Sequence, residues 1–423
     1  MKRVGLLKHK VFLGALMAIV NLILFPIKSQ AALFSFTSHT FTTCSATGYQ
    51  GPSQASCRSA YLTTWDESDA NFTVVGGIQK WTVPASGKYR IKAIGSVGGG
   101  YSGGNYGYGA SIQGDIDLVQ GDVLSIVVGQ QGLDLAGSYG QGGGGGSFVI
   151  KGSNTPLVIA GGGGSQSSGG GDAGSVRTAR ACGDASLTTS GMAGCYYSLT
   201  PSDGYGAAGT NGSAGGAVVS PWNGYPGSGF LGDASVGGAK SWANGMLGGN
   251  LTTYGVGGFG GGGSAGMYGG SGGGGYSGGG ASARHSHGGG GGSYNAGTNK
   301  VEVLNNAIAP GSVVITLVAV AISDTTTTLT SPNSLTFRSS ATLVATTSVP
   351  GRVTFLANGK RIGGCISLPT AGSSPITATC SFKPTSRLAL IFTAQFTPSD
   401  TSAYRSSSAT SAVKSVANRA GAR

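Results

Sequence analysis

Charge is scarce in this sequence. Only 9% of its 423 residues are Asp, Glu, Lys or Arg, against about 25% in an average soluble domain. Helical periodicity is missing from residue 32 onward, which removes helix bundles and βαβ units from consideration. No CxxC or CxxH spacing occurs, so a structural zinc site is excluded. Past the N-terminus one apolar stretch stands out, Val313 to Ile322. It has about half the length a membrane span needs and reads as a buried strand. No basic stripe interleaved with aromatics is present, so nucleic-acid binding is unsupported.

The chain begins with Lys2, Arg3, Lys8 and Lys10, followed by the apolar run Val11 to Phe25. Pro26 ends the run, and Ser29-Gln30-Ala31 supplies small residues for cleavage. Residues 1–31 therefore read as a signal peptide. The formal charge of +12 includes five cations of that segment, Lys28 among them, leaving 12 − 5 = +7 for the mature chain. Lys414, Arg419 and Arg423 lie at the end, and the other charges look scattered along the sequence. Weak attraction to anionic cell-wall polymers fits that balance.

Export gives the six cysteines a context, because an even count in an oxidising compartment points to disulfides. Six cysteines allow 15 connectivities. The simplest joins neighbours, Cys44 with Cys57, Cys182 with Cys195 and Cys365 with Cys380, each closing a short loop worth about 3 kcal/mol.

What is abundant is glycine, and it is local: 69 of the 83 glycines fall between Gly95 and Gly297. The tracts include Gly142–Gly146, Gly161–Gly164, Gly260–Gly263, Gly272–Gly275 and Gly288–Gly292. Gly/Ser tracts usually mean flexible linker. These are bracketed by apolar strands and by Tyr254, Phe259, Tyr268 and Tyr276, and they carry few charges. That favours ordered packing of extended, three-residue-per-turn glycine segments, which have no internal hydrogen bonds and must bond to one another.

Around the tracts the pattern is β. Tyr89 to Ala93 alternates apolar with basic residues, and Trp81-Thr82-Val83 precedes it across Pro84 to Gly87, which reads as a hairpin. Asp122 to Val128 is a strand candidate, and Phe148–Ile150 with Leu157–Ile159 form a second hairpin. From Ser323 the chain turns to short Thr- and Val-rich runs with an Asn358-Gly359 turn. Their spacing over about 90 residues suggests a sandwich. The expected domains are 32–322, 323–415 and a disordered basic tail, 416–423.

Chemistry is poorly supported. GxSxG occurs at Gly262–Gly266 and around Ser102, Ser271 and Ser277, as glycine abundance alone would produce, without the strand-to-helix turn an elbow needs. Gly232 to Lys240-Ser241 has a P-loop look, but Ala239 breaks it and no helix follows. His285 and His287 form the one histidine cluster and lack a third ligand. Asp115, Asp117 and Asp122 read as solvated residues flanking a strand. No metal, cofactor or catalytic constellation is expected.

Phe41-Thr42-Thr43-Cys44, Gly51–Cys57 with Tyr61, Gly77–Pro84, Tyr89–Ile91, Val128–Gly132, Gly142–Val149 and Pro156–Gly164 follow one another in an order and spacing that can be compared with known families. Over about residues 41–317 the chain resembles the extracellular glycine-rich region of the anaplastic lymphoma kinase and leukocyte tyrosine kinase receptors. The resemblance implies a β-sandwich from which a bundle of polyglycine helices projects, Cys44 bonded to Cys57, and a role in binding protein ligands outside the cell. No kinase or transmembrane segment accompanies it, and the receptors' ligand contacts do not carry over. Secreted bacterial glycine-rich proteins are similar too, sharing runs like Gly288 to Gly297. Gly351–Gly359, Cys365, Cys380, Pro398-Ser399-Asp400 and Tyr404 resemble a bacterial Ig-like repeat, a spacer or adhesion module.

The resulting expectation is all-β: a β-sandwich with an inserted polyglycine-helix bundle, followed by an Ig-like β-sandwich. The function expected is that of a secreted, non-catalytic protein that binds an unknown cell-surface protein or glycan through Tyr101, Tyr106, Tyr108 and Trp222. A self-associating envelope or matrix protein is the alternative, and a secreted hydrolase a remote third.

Overall fold

Residues 31–100, 107–134, 140–166, 182–195, 204–218, 222–250, 253–283, 286–305, 307–401 and 403–418 are described by the computed structural model. Residues 1–30 of the expected signal segment, Tyr101, Tyr106, Ser102 and His285 lie outside them. Contacts divide the chain into two units that meet in sequence at Ala321 and Ile322.

In the first unit, strands form where apolar residues alternate. They are β1 (Ser38–Phe41), β2 (Phe72–Val75), β3 (Ile78–Thr82), β4 (Gly87–Ile94), β5 (Ala110–Leu118), β6 (Val123–Val127), β7 (Leu133–Asp134), β8 (Ser147–Lys151), β9 (Thr155–Ala160), β10 (Gly255–Val256), β11 (Tyr294–Asn295), β12 (Thr298–Leu304) and β13 (Ser312–Val320). One sheet runs β1-β13-β4-β5-β12 and the other β11-β9-β8-β6-β3-β2. Tyr89, Ile91, Ile112, Val313 and Ile315 of the first sheet share one buried cluster with Trp81, Leu124, Ile126, Val149 and Val158 of the second. Fully burying such side chains contributes about 1.5–3 kcal/mol each.

Three expectations need correction. Trp81 and Tyr89 do not belong to a hairpin, because β3 pairs with β2 and β6 while β4 pairs with β5 and β13. Both strands present fully buried rings, 6.2 Å apart. They cover each other from opposite sheets, and Pro84, without an amide proton, sits where the chain crosses between them. The second correction is a helix, α1 (Gln54–Tyr61), opened by a Ser53/Ser56 capping box and closed at Leu62 with φ 52°. Only Cys57 is buried along its two turns. The apolar stripe that betrays a helix is therefore absent, and the cap and the Cys44–Cys57 disulfide hold it instead. Third, the stretch Val313 to Ile322 is buried only in its first half, since Val318 and Val320 of β13 and Ile322 beyond it are exposed.

The second unit contains β14 (Thr327–Thr330), β15 (Leu335–Thr336), β16 (Ala341–Thr347), β17 (Gly351–Ala357), β18 (Lys360–Arg361), β19 (Leu368–Pro369), β20 (Ile376–Phe382), β21 (Phe392–Pro398), β22 (Ser407–Thr410) and β23 (Val416–Ala417). One sheet is β14-β16-β20, and another is β18-β17-β21-β22 with β19 also beside β17. Leu343, Ala345 and Ala378 share a core with Val353, Phe355, Phe392 and Phe396. Asn358 and Gly359 take φ 46° and 77° and join β17 to β18 by a two-residue loop, the positive φ at both central residues matching the turn to the right-handed twist of the strands. The tail expected to be disordered begins as β23, paired in parallel with β15, because Val416 packs on the core.

Candidate binding surface

Glycine segments continue directly from strand ends. Gly95–Gly99 follows β4, Val128–Gly132 follows β6 and Gly161–Ser165 follows β9, while Gly142–Gly146 leads into β8 and Gly288–Ser293 into β11. Antiparallel pairing of these strands brings the segments to one end of the two sheets.

There the backbone amides step around their neighbours with a period of three. Gly143 and Gly146 donate to Gly263 and Gly260, each at 2.9 Å; between them Gly144 turns to Gly163 (2.8 Å) and Gly145 to Gln130 (2.9 Å). Gly162 and Ser165 donate to Gly274 and Ser271, Gly163 and Gln166 to Ser96 and Gly99, and Gly164 to Gly183. Gly272 and Gly275 donate to Tyr225 and Ser228, Gly273 and Tyr276 to Gly289 and Gly292, and Gly274 to Gly144. Gly288 and Gly291 return to Ser165 and Gly162. Each such segment is thereby tied to several others, and the buried backbone groups are satisfied without a conventional ladder.

Packing this close leaves no space for a side chain. A Cβ on Gly145 would fall on the carbonyl oxygen of Phe259, one on Gly273 on that of Gly162, and one on Gly279 on that of Gly289. The serines among the glycines serve the same network. Ser264, Ser271 and Ser277, the centres of three GxSxG matches, are fully buried. Their hydroxyls donate to the carbonyls of Gly237, Ser264 (2.6 Å) and Thr189 (2.6 Å) respectively. None of the three can meet a substrate.

Beneath this layer Val127, Phe148, Ile150 and Ile159 leave the outer face of the second sheet and pack with Phe230, Met246 and Phe259. From Phe230 a row of near-parallel rings runs outward. Trp242 and Tyr276 flank Phe230 at 6.2 Å each, and Tyr294 lies 5.0 Å from Tyr276. The sequence gives no sign of this row, since its members lie 12 to 46 residues apart from their ring neighbours by the numbering.

Of the aromatics expected to bind, Trp222 is 47% exposed and stacks on Tyr268 at 5.6 Å with planes 23° apart. The Tyr268 amide donates to the Trp222 carbonyl at 3.0 Å, which ties the two backbones together beneath the stacked rings. Tyr108 is half-buried; its amide donates to Asp184 Oδ1 (2.8 Å) and its carbonyl accepts from Ala185 (2.8 Å). The structure does not bring Tyr108 and Trp222 into a described contact. His287 exchanges two backbone bonds with Cys195 (2.8 and 2.9 Å), and burial lowers its imidazole pKa to about 4. Among the described residues no three His, Cys, Asp or Glu side chains group as metal ligands.

The P-loop-like stretch is a closed local network. Asp233 accepts from the Ser241 amide and hydroxyl (2.8 and 2.7 Å) and from Asn244, and pairs with Lys240 at 3.1 Å. Burial pushes its carboxyl upward, but those bonds outweigh it and hold the pKa well below the usual range. Asp115 corrects another expectation, being a buried residue of β5 rather than a solvated one. Arg90 binds both its oxygens (2.8 and 3.0 Å) and Asn299 one (2.9 Å), which together hold its pKa near 2.

The described cysteines are joined as Cys44–Cys57, Cys182–Cys195 and Cys365–Cys380. No helix among the described residues is long and apolar enough to cross a membrane. No protein-family model matches the chain. Over 101 residues it is 36% identical to the leukocyte tyrosine kinase receptor of Mus musculus, a match covering 22% of this chain and 11% of that receptor's length.

Proposed function

We propose that the chain is an exported, non-catalytic surface protein. Its glycine-rich unit is a rigid bundle of polyglycine helices that displays a binding face, and its second unit is an Ig-like spacer. The observation that carries this reading is the threefold cycling of amide partners along the glycine segments. A chain with three residues per turn points successive amides in three directions, so each helix needs neighbours all round. A framework bonded in that way loses little conformational entropy on capturing a ligand.

The partial likeness to a receptor and the three disulfides support an extracellular setting. The partner is a cell-surface protein or glycan, taken by the exposed Trp222 stacked on Tyr268, with Tyr108, Tyr101 and Tyr106 as further contacts; aromatics dominate the energy of many interfaces. Purified mature chain is expected to bind whole cells or a glycan array saturably, and Trp222→Ala to reduce that binding without altering the urea midpoint. Unsaturable binding, or assembly growing with concentration in size-exclusion chromatography, would replace this reading with the self-associating one.

A further inference from the structure

The net positive charge belongs to the second unit. Residues 32–321 carry 11 Lys and Arg against 12 Asp and Glu, or −1, while residues 322–423 carry 10 against 2, or +8. Register then separates the signs within that unit. At one end β14 starts and β21 finishes, and both acids, Asp324 and Asp400, adjoin it; Asp324 pairs with Arg405 at 3.4 Å. At the opposite end β17 runs into β18, β20 finishes and β21 starts.

That opposite end is tied together by backbone bonds. Asn358 donates to the Ile391 carbonyl and accepts from the Ile391 amide, both at 2.8 Å, and Leu390 exchanges two bonds with Lys414. Arg338 donates its amide to Pro384 at 3.0 Å, and the guanidinium groups of Arg338 and Arg387 each lie 5.2 Å from the Phe337 ring centre. Six cations therefore share one end: Arg338, Lys360, Arg361, Lys383, Arg387 and Lys414. None has an ion-pair partner among the described residues.

Lys360, Arg361 and Lys383, with the hydroxyl-bearing Ser381, Thr385 and Ser386, line a cleft of 390 Å³. At the same end stand three exposed apolar side chains, Leu388 at 72% and Ile391 at 39% before β21 and Val413 at 63% beside the Lys414 that pairs with Leu390. Like charges gathered without counter-charge repel one another, and exposed apolar groups beside them gain nothing from water. A surface that is anionic at its face and apolar just below satisfies both. Two guanidinium groups cover the Phe337 ring, and Phe382, which lines the cleft, packs edge-on against Phe392 at 5.4 Å in the core, so the described residues of this end offer no row of open rings such as single-stranded nucleic acid stacks on.

We infer that this end docks the protein on an anionic phospholipid surface, lipid phosphates entering the cleft among Lys360, Arg361 and Lys383 while Leu388, Ile391 and Val413 reach the acyl boundary. Such docking gains from each cation near the surface and weakens with salt. It is independent of the glycine bundle, so its failure would leave the reading of the first unit intact.

The test is co-sedimentation of the mature chain with phosphatidylcholine vesicles, with and without phosphatidylglycerol. Binding is expected only to the anionic vesicles and is expected to fall as NaCl rises. The double variant Lys383→Glu/Arg387→Glu should reduce it at least about tenfold, and Leu388→Ser should weaken it at unchanged charge. Arg405→Glu, at the other end, should not change it. All four positions are exposed, and an unchanged near-ultraviolet circular dichroism spectrum certifies each fold. Absence of sedimentation, an equal loss in Arg405→Glu, or tight binding to soluble dextran sulfate with no effect of Leu388→Ser would overturn the proposal.

Discussion

Replacing Gly145 by alanine adds a single methyl group, and the surroundings say what that methyl does. Its Cβ would coincide with the carbonyl oxygen of Phe259, which accepts from the Gln130 amide at 2.9 Å. The obstructing atom is backbone, so no rotamer change relieves the clash. Moving it apart unpairs two buried groups, the Gln130 amide and the Phe259 carbonyl, at about 1–3 kcal/mol each. Overpacking adds about 1–3 kcal/mol, for a total of about 3–9 kcal/mol against the roughly 5–15 kcal/mol of a whole domain. Gly183 is the matched control. Its Cβ would find its nearest atom at 3.5 Å, and its φ lies outside the left-handed region, so Gly183→Ala should be neutral or stabilise by about 0.4–1 kcal/mol. Urea unfolding followed by tryptophan emission, with Trp65 and Trp81 in the core, reads both. A Gly145→Ala midpoint equal to that of Gly183→Ala would refute close packing of the tracts.

The half-buried His39 imidazole packs among Phe41, Tyr61 and Trp65, and loss of water there lowers its pKa to about 4 against the weaker opposing pull of the Asp66 charge. The folded form thus takes up a proton less readily than the unfolded one, so stability should fall as pH drops from about 6.5 toward 4. Denaturation midpoints across that range should slope less in His39→Phe, with His287 supplying the remainder. Reducing the first disulfide, or replacing Cys44 and Cys57 by alanine, should cost about 3 kcal/mol and free α1, seen as earlier proteolysis within Gln54–Tyr61.

Local signals were legible in the sequence, and long-range ones were not. The β8–β9 pair and the Asn358-Gly359 turn follow from residues adjacent in the chain. The glycine tracts advertised order through their apolar brackets, yet which tract bonds to which depends on strands separated by more than a hundred residues, such as Gly162 with Gly274. Trp81 and Tyr89 looked like a hairpin because spacing cannot distinguish a turn within one sheet from a crossing between two. Asp115 looked solvated because its partners, Arg90 and Asn299, are brought to it only by pairing with β4 and β12. The charges of the second unit looked scattered for the same reason: Lys360, Lys383 and Lys414 meet only when β17, β20 and the segment after β22 end on one side. The Trp242–Phe230–Tyr276–Tyr294 row was equally invisible, its spacing matching no regular element.

Amide hydrogen exchange of the intact protein, resolved to peptides covering Gly142–Gly146, Gly161–Ser165, Gly272–Gly275 and Gly288–Gly292, tests the central claim most directly. Mutual bonding of those amides predicts protection comparable to that of β4 and β8. Exchange at the rate of an unstructured glycine peptide would contradict it.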